Sequence, residues 1–114
     1  MRKLLVILPV LTLSLLPSES DSRPVFPVTL EVEYGIGDGI RRDMDVTVEG
    51  DRTFVDSDRD AGVWTYRPRD GMLLLRYEGD AAGFDLLGEQ DASCFSGSVY
   101  FEEEVIDTWS GCVR

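Results

Sequence analysis

The chain has 114 residues, with 22 acidic side chains against 11 basic ones and a net charge of −11. That is room for one domain, and the wrong sign for nucleic acid or anionic lipid, whose recognition needs clustered lysine or arginine. There is no histidine, and the only lysine is Lys3, inside the expected leader, so after its removal the imidazole general base, the Ser-His and Cys-His pairs, the Ser-Lys dyad, the Schiff-base lysine and any histidine-bearing zinc or copper site have no residues to build them.

In chain order, residues 1–20 read as a secretory signal: Arg2 and Lys3 form a basic start, Leu4 to Leu16 an apolar stretch too short to span a bilayer comfortably, and Ser18 and Ser20 a small-residue cleavage pattern. Cleavage is expected after Ser20, within about four residues either way. The competing reading is an uncleaved anchor, disfavoured by the polar SESDSR that follows, and no cysteine is placed to carry a lipid. Arg2 and Lys3 against Glu19 give the leader one net positive charge, so its removal leaves residues 21–114 one unit more negative. The expected product is a single all-β domain over 21–114, secreted or periplasmic, without a membrane association after cleavage.

After the extended lead-in SRPVFP, the run VTLEVEY alternates: Val28, Leu30, Val32 and Tyr34 point one way and Thr29, Glu31 and Glu33 the other, as in a strand with one wet face. GIGDG is a turn. IRRDMDVTVE again alternates, with Met44, Val46 and Val48 inward and Asp43, Asp45, Thr47 and Glu49 outward. Gly50-Asp51 reads as a tight hairpin turn into TFVD. After the loop DSDRDAG, VWTYR places Trp64 and Tyr66 on one face, and PRDG has turn chemistry. MLLLRYE sets Leu73, Leu75 and Tyr77 on one face and Met72 and Leu74 on the other. GDAAG turns into FDLLG, a short strand or a single helical turn, with strand preferred. SCFSGSVYF and EVIDTWSGC complete about eight short strands without a helix. The expected architecture is a small antiparallel up-and-down meander, a barrel or half-barrel.

Cys94 and Cys112 are the only cysteines, one at each end of the final pair of runs. With Cys94 opposite Cys112 in an antiparallel pair, Gly97 faces Trp109, Val99 faces Asp107, Phe101 faces Val105, and the turn centres on Glu103. That register puts Phe95, Val99, Phe101, Val105 and Trp109 on one face and lays the Trp109 ring over a strand glycine. A cross-strand disulfide fits such a position, and closing a loop of this length contributes about 3 kcal/mol in the chain-entropy model. A stapled hairpin suits the oxidising compartment that the leader implies. Tyr100 and Ile106 fall on the hydroxyl-rich face, where they mark a candidate contact surface for another chain or for a second copy of this one.

The segment from WTYRPRDGMLLLRYEG to CFSGSVYFEEEVIDTWSGC resembles calycin-type hairpins, the meander of avidin-like and lipocalin-like proteins. It is similar to small secreted bacterial proteins that combine a tryptophan-bearing strand, an aliphatic strand and a closing Trp-Ser-Gly-Cys. The N-terminal Gly-x-Trp entry and C-terminal helix of lipocalins are not evident. The resemblance implies a binding protein and assigns no ligand residues.

Asp56, Asp58 and Asp60 have the alternate-carboxylate spacing of a calcium loop. The glycine, Gly62, comes one place late and the twelfth loop position is Arg67, so an EF-hand is excluded; a looser calcium site competes with a solvated turn. GIGDG mimics part of a phosphate loop, but neither a helix nor a lysine follows to serve it. Carboxylates are abundant enough for a glycosidase dyad, yet a small meander has little room for the cleft that would raise one of them. No catalytic residue is assigned and a non-enzymatic module is expected. Its principal reading is recognition of a protein partner through the acidic surface. The alternative is a small apolar or aromatic ligand held in a barrel cavity among Trp64, Tyr66, Leu75 and Phe84.

Overall fold

The computed structural model describes residues 25–114. The expected leader over residues 1–20 and its cleavage point lie outside the described residues. Eight strands follow in order: β1 (Val28–Tyr34), β2 (Arg42–Val48), β3 (Thr53–Asp56), β4 (Ala61–Arg67), β5 (Met72–Tyr77), β6 (Phe84–Asp91), β7 (Cys94–Phe101) and β8 (Glu104–Val113). Each pairs antiparallel with the next, and β8 pairs back onto β1, so the meander is a closed barrel rather than a half-barrel. Closure removes the two unpaired edges that an open sheet would expose. FDLLG is the start of an eight-residue strand. The only helical element among the described residues is a 3-10 turn at Gly79–Ala81.

Alternation carries the core. Leu30, Val32, Met44, Val46, Val48, Phe54, Leu73, Leu75, Leu86, Phe95, Val99 and Trp109 are buried inside the barrel, as period-two strands with one wet face require. The barrel accommodates Trp109 because glycines surround it. A Cβ at Gly88 would lie 2.6 Å from the Trp109 ring, and one at Gly111 3.3 Å from it. The Trp109 indole N–H donates to the Leu87 carbonyl at 3.2 Å. Gly97 faces Trp109 across the ladder as expected, but its role differs: a Cβ there would lie 2.0 Å from the Leu87 carbonyl oxygen, so it is backbone approach, not the ring, that requires glycine.

Cys94 and Cys112 are opposite one another and bonded, with Cα atoms 3.9 Å apart. The expected register holds from Cys94–Cys112 to Val99–Asp107 and then slips, so that Tyr100 faces Val105 and Phe101 faces Glu104. Ile106 is the extra residue of a bulge, and the turn is the two-residue pair Glu102–Glu103, both with positive φ (50° and 72°). Three expectations change as a result. Val105 is 60% exposed, Phe101 sits at the rim at 37%, and Ile106 packs against the core instead of marking an outer contact surface. Tyr100 is half-buried.

The β2–β3 turn also differs. Glu49 N–H donates to the Thr53 carbonyl at 2.9 Å, and the residue with positive φ is Arg52 (76°), so the turn spans three residues, not Gly50-Asp51 alone. PRDG behaves as its chemistry predicts, with Gly71 at φ 69° and its N–H on the Arg67 carbonyl. The β1–β2, β3–β4, β5–β6 and β7–β8 connections form one end of the barrel, here the upper rim; the remaining three form the lower rim.

Candidate functional site

The four residues expected to enclose a cavity stand at different heights in the barrel. Trp64 and Tyr66 lie toward the lower rim, where Phe26 covers them with ring centroids 4.3 Å and 5.9 Å away. The Trp64 indole N–H donates to the Glu49 carbonyl at 2.7 Å, and the Tyr66 hydroxyl bonds the Gln90 side chain. Leu75 is fully buried in the core. Phe84 is at the opposite end, stacked on Phe101 at 4.7 Å. Phe26 was invisible as a core residue because the lead-in carries no alternation of its own.

Two of the concave surfaces among the described residues differ in kind. The first opens at the upper rim, a depression of about 200 Å³ whose lining includes Tyr34, Ile36, Asp56, Asp58, Asp60, Tyr77, Phe84 and Leu86. Asp56 is 8% exposed. One of its oxygens accepts the N–H groups of Asp58 and Asp60, both at 2.9 Å, and the other accepts the Tyr77 hydroxyl at 2.7 Å. The carboxylate therefore shapes its own loop. The three aspartates line one mouth, but among the described residues no three carboxylates are grouped to hold a metal ion. Burial, followed by the hydrogen bond to Asp56, pushes the Tyr77 hydroxyl well above the ordinary tyrosine range. Tyr34 is raised too, first by burial and then by the charge of Asp58.

The second surface is a shallow groove of about 480 Å³ on the outside of β8, β1 and β2, lined by Glu31, Glu33, Asp43 and Asp45 with Ser57 and Ser110 beside them. The β1–β2 register sets Glu31 opposite Asp45 and Glu33 opposite Asp43. Like charges directly opposed across a ladder destabilise it. Elsewhere the same barrel opposes Arg76 to Asp85, with an ion pair at 3.1 Å. Arg114 bridges Glu31 and Asp45 at 3.0 and 2.7 Å. Among the described residues the other pair has only Arg41, 3.8 Å from Glu33 and more closely engaged with Asp107 at 2.9 Å. The outward alternation of both strands was legible in the sequence. The pairing of acids across them was not, because the seven residues between β1 and β2 do not fix a register as a two-residue turn does.

GIGDG has a mundane occupant. The Gly37 N–H donates to the Asp107 carboxylate at 3.0 Å, and a Cβ at Gly35 would fall 2.1 Å from the same side chain. The N–H groups of Thr108 and Gly37 hold the Asp107 carboxyl below the usual carboxylate range, and Arg41 adds to this. Asp38 is brought down to about 2, chiefly by its hydrogen bonds to Arg42. Among the described residues no helix is long and apolar enough to cross a membrane. Comparison with protein-family models, with curated proteins and with solved structures finds no match.

Proposed function

We propose that this protein is an exported, non-enzymatic interaction module whose β8–β1–β2 face receives a basic protein partner. One observation carries the reading: two like-charged pairs stand directly opposed on one face, and among the described residues one of them, Glu33–Asp43, is met by Arg41 alone, 3.8 Å from Glu33 and shared with Asp107. A surface selected for stability alone would place opposite charges there. Cationic side chains from a partner would relieve the repulsion, and the long-range field would speed encounter. The disulfide and the leader-like start fit an oxidising compartment, either the periplasm or the exterior. The calycin-type resemblance belongs to the same proposal, since it too implies a binding protein.

The test is a calorimetric titration with a nona-arginine peptide at low and high salt. Binding is expected at low salt, weakened by salt, and weakened several-fold in E33Q/D43N, whose thermal stability should equal or exceed that of the parent. Equal affinity of parent and variant would reject this face as the site. Immobilised protein should then capture a basic protein from the native culture in a salt-reversible manner.

A further inference from the structure

The upper mouth of the barrel is a different site from the acidic outer face, and its chemistry is different. We infer that it binds a small amphipathic organic cation, an alkyl- or aralkylammonium group, with its apolar body on Phe84 and Leu86 and its charged head beside Asp56, Asp58 and Asp60. The depression, about 200 Å³, is smaller than the ~300–1,000 Å³ typical of drug-sized pockets, so its occupant is small. Its walls come from separate hairpins. Ile36 stands on the β1–β2 connection, Phe84 and Leu86 on β6, and the aspartates on the end of β3 and the loop after it.

Among the described residues the charge of the mouth lacks a cationic partner. Among the described residues, no arginine lies within 4.0 Å of a carboxylate oxygen of Asp56, Asp58 or Asp60. Arg42 is held by Asp38 at 2.7 Å and Arg41 by Asp107 at 2.9 Å. Arg59, in the same loop, lines an outer groove with Thr53, Asp60 and Glu78, but makes no ion pair with Asp60. Asp56 is buried and accepts three hydrogen bonds on its two oxygens, which hold it at the floor of the mouth. A cation at the mouth would supply the counter-charge that these carboxylates do not find among the described residues.

A hard metal ion is poorly served here. It needs several oxygens free to converge, whereas those of Asp56 are engaged by Asp58, Asp60 and Tyr77. An organic cation needs no ligand geometry. It is attracted by the field of the aspartates and by the faces of aromatic rings, and Tyr34, Tyr77 and Phe84 supply rings at this mouth. Burial first, and the aspartate charges after it, raise the hydroxyls of Tyr34 and Tyr77 above the ordinary tyrosine range.

The experiment is an NMR titration of the labelled protein with benzyltrimethylammonium. Benzyl alcohol serves as the neutral comparator and sodium chloride at matched ionic strength as the blank. Side-chain signals of Tyr77, Phe84 and Leu86 should shift saturably with the cation, and benzyl alcohol should bind about tenfold more weakly or not at all. D58N/D60N should lower the cation's affinity about tenfold and leave benzyl alcohol unaffected. D58N alone, at an exposed position, serves if the double variant loses its dispersed spectrum. Equal affinity for cation and alcohol would overturn the inference, as would shifts that merely follow sodium chloride or the absence of saturation at large excess. None of these outcomes bears on the outer acidic face, which E33Q/D43N tests separately.

Discussion

At the scale of single residues, glycine decides where the barrel can hold its largest side chain. The Cβ that alanine would add at position 88 meets the Trp109 ring at 2.6 Å and the Ser96 backbone at 3.2 Å. Neither neighbour is the free end of a flexible chain. Gly88→Ala should therefore cost about 1–3 kcal/mol, as overpacking does, read from urea denaturation. Gly50→Ala, which meets nothing within 4 Å, is the control and should be close to neutral. Asp107 gives a second residue-scale expectation. Its pKa in the fold lies below the ordinary carboxylate value. Its stabilisation is thus fully present above about pH 4 and is lost as pH falls through the folded value. Asp107→Asn should lower the melting temperature near pH 6 and flatten the decline below about pH 4. A variant with the parent's acid profile would show that the carboxylate does not tie the β1–β2 loop to β8.

At the scale of elements, the C-terminal hairpin shows what was legible and what was not. The position of Cys94 opposite Cys112, the Gly97–Trp109 pairing and the inward set Phe95, Val99 and Trp109 followed from alternation and from one assumed cross-link, and all are present. The tip did not follow. An uninterrupted register would leave a three-residue turn centred on Glu103. The hairpin instead makes a two-residue turn, whose twist matches that of the strands, and a bulge absorbs the odd residue. Ile106 then turns toward the core. The Ile106 backbone carbonyl also approaches Gly37, where an added Cβ would lie 3.2 Å from it. That contact joins segments about seventy residues apart, and no local pattern announces it. The turn itself leaves room for improvement. Glu102 and Glu103 both occupy the left-handed region, at a cost of about 1–2 kcal/mol per non-glycine residue. Replacing them by Asn and Gly should raise stability by about 1 kcal/mol or more, seen as a higher melting temperature. An unchanged or lower value would contradict the two-residue turn.

At the scale of the whole molecule, alternation in eight runs was enough to predict a meander, but not to choose between a closed barrel and an open one. Closure rests on β1 meeting β8, a pairing of Leu30 with Val113 and of Tyr34 with Trp109. It depends on accumulated twist and tilt rather than on any one run of residues. The candidate sites were hidden for the same reason. Acids on β1 and β2 become opposed pairs only once a register exists, and three aspartates become the wall of a mouth only once Tyr34, Tyr77 and Phe84 are brought around them. The residue types were evident from the start; their juxtaposition belongs to the assembled ring.

The β1–β8 seam has one more consequence. The Arg114 N–H donates to the Thr29 carbonyl at 2.9 Å, so the beginning and end of the described chain are neighbours. A ring of strands joined only by hairpins has no privileged first member. The order in which a ribosome would deliver these eight strands is then one of several equivalent readings of the same circle. A permutant that links position 114 to position 25 through a short Gly-Ser spacer and opens at the Pro68–Gly71 turn should form the Cys94–Cys112 bond and melt cooperatively within a few degrees of the parent. A permutant that stays unfolded would mean that the circle must be entered at β1, and that the seam is a step in assembly as well as a row of hydrogen bonds.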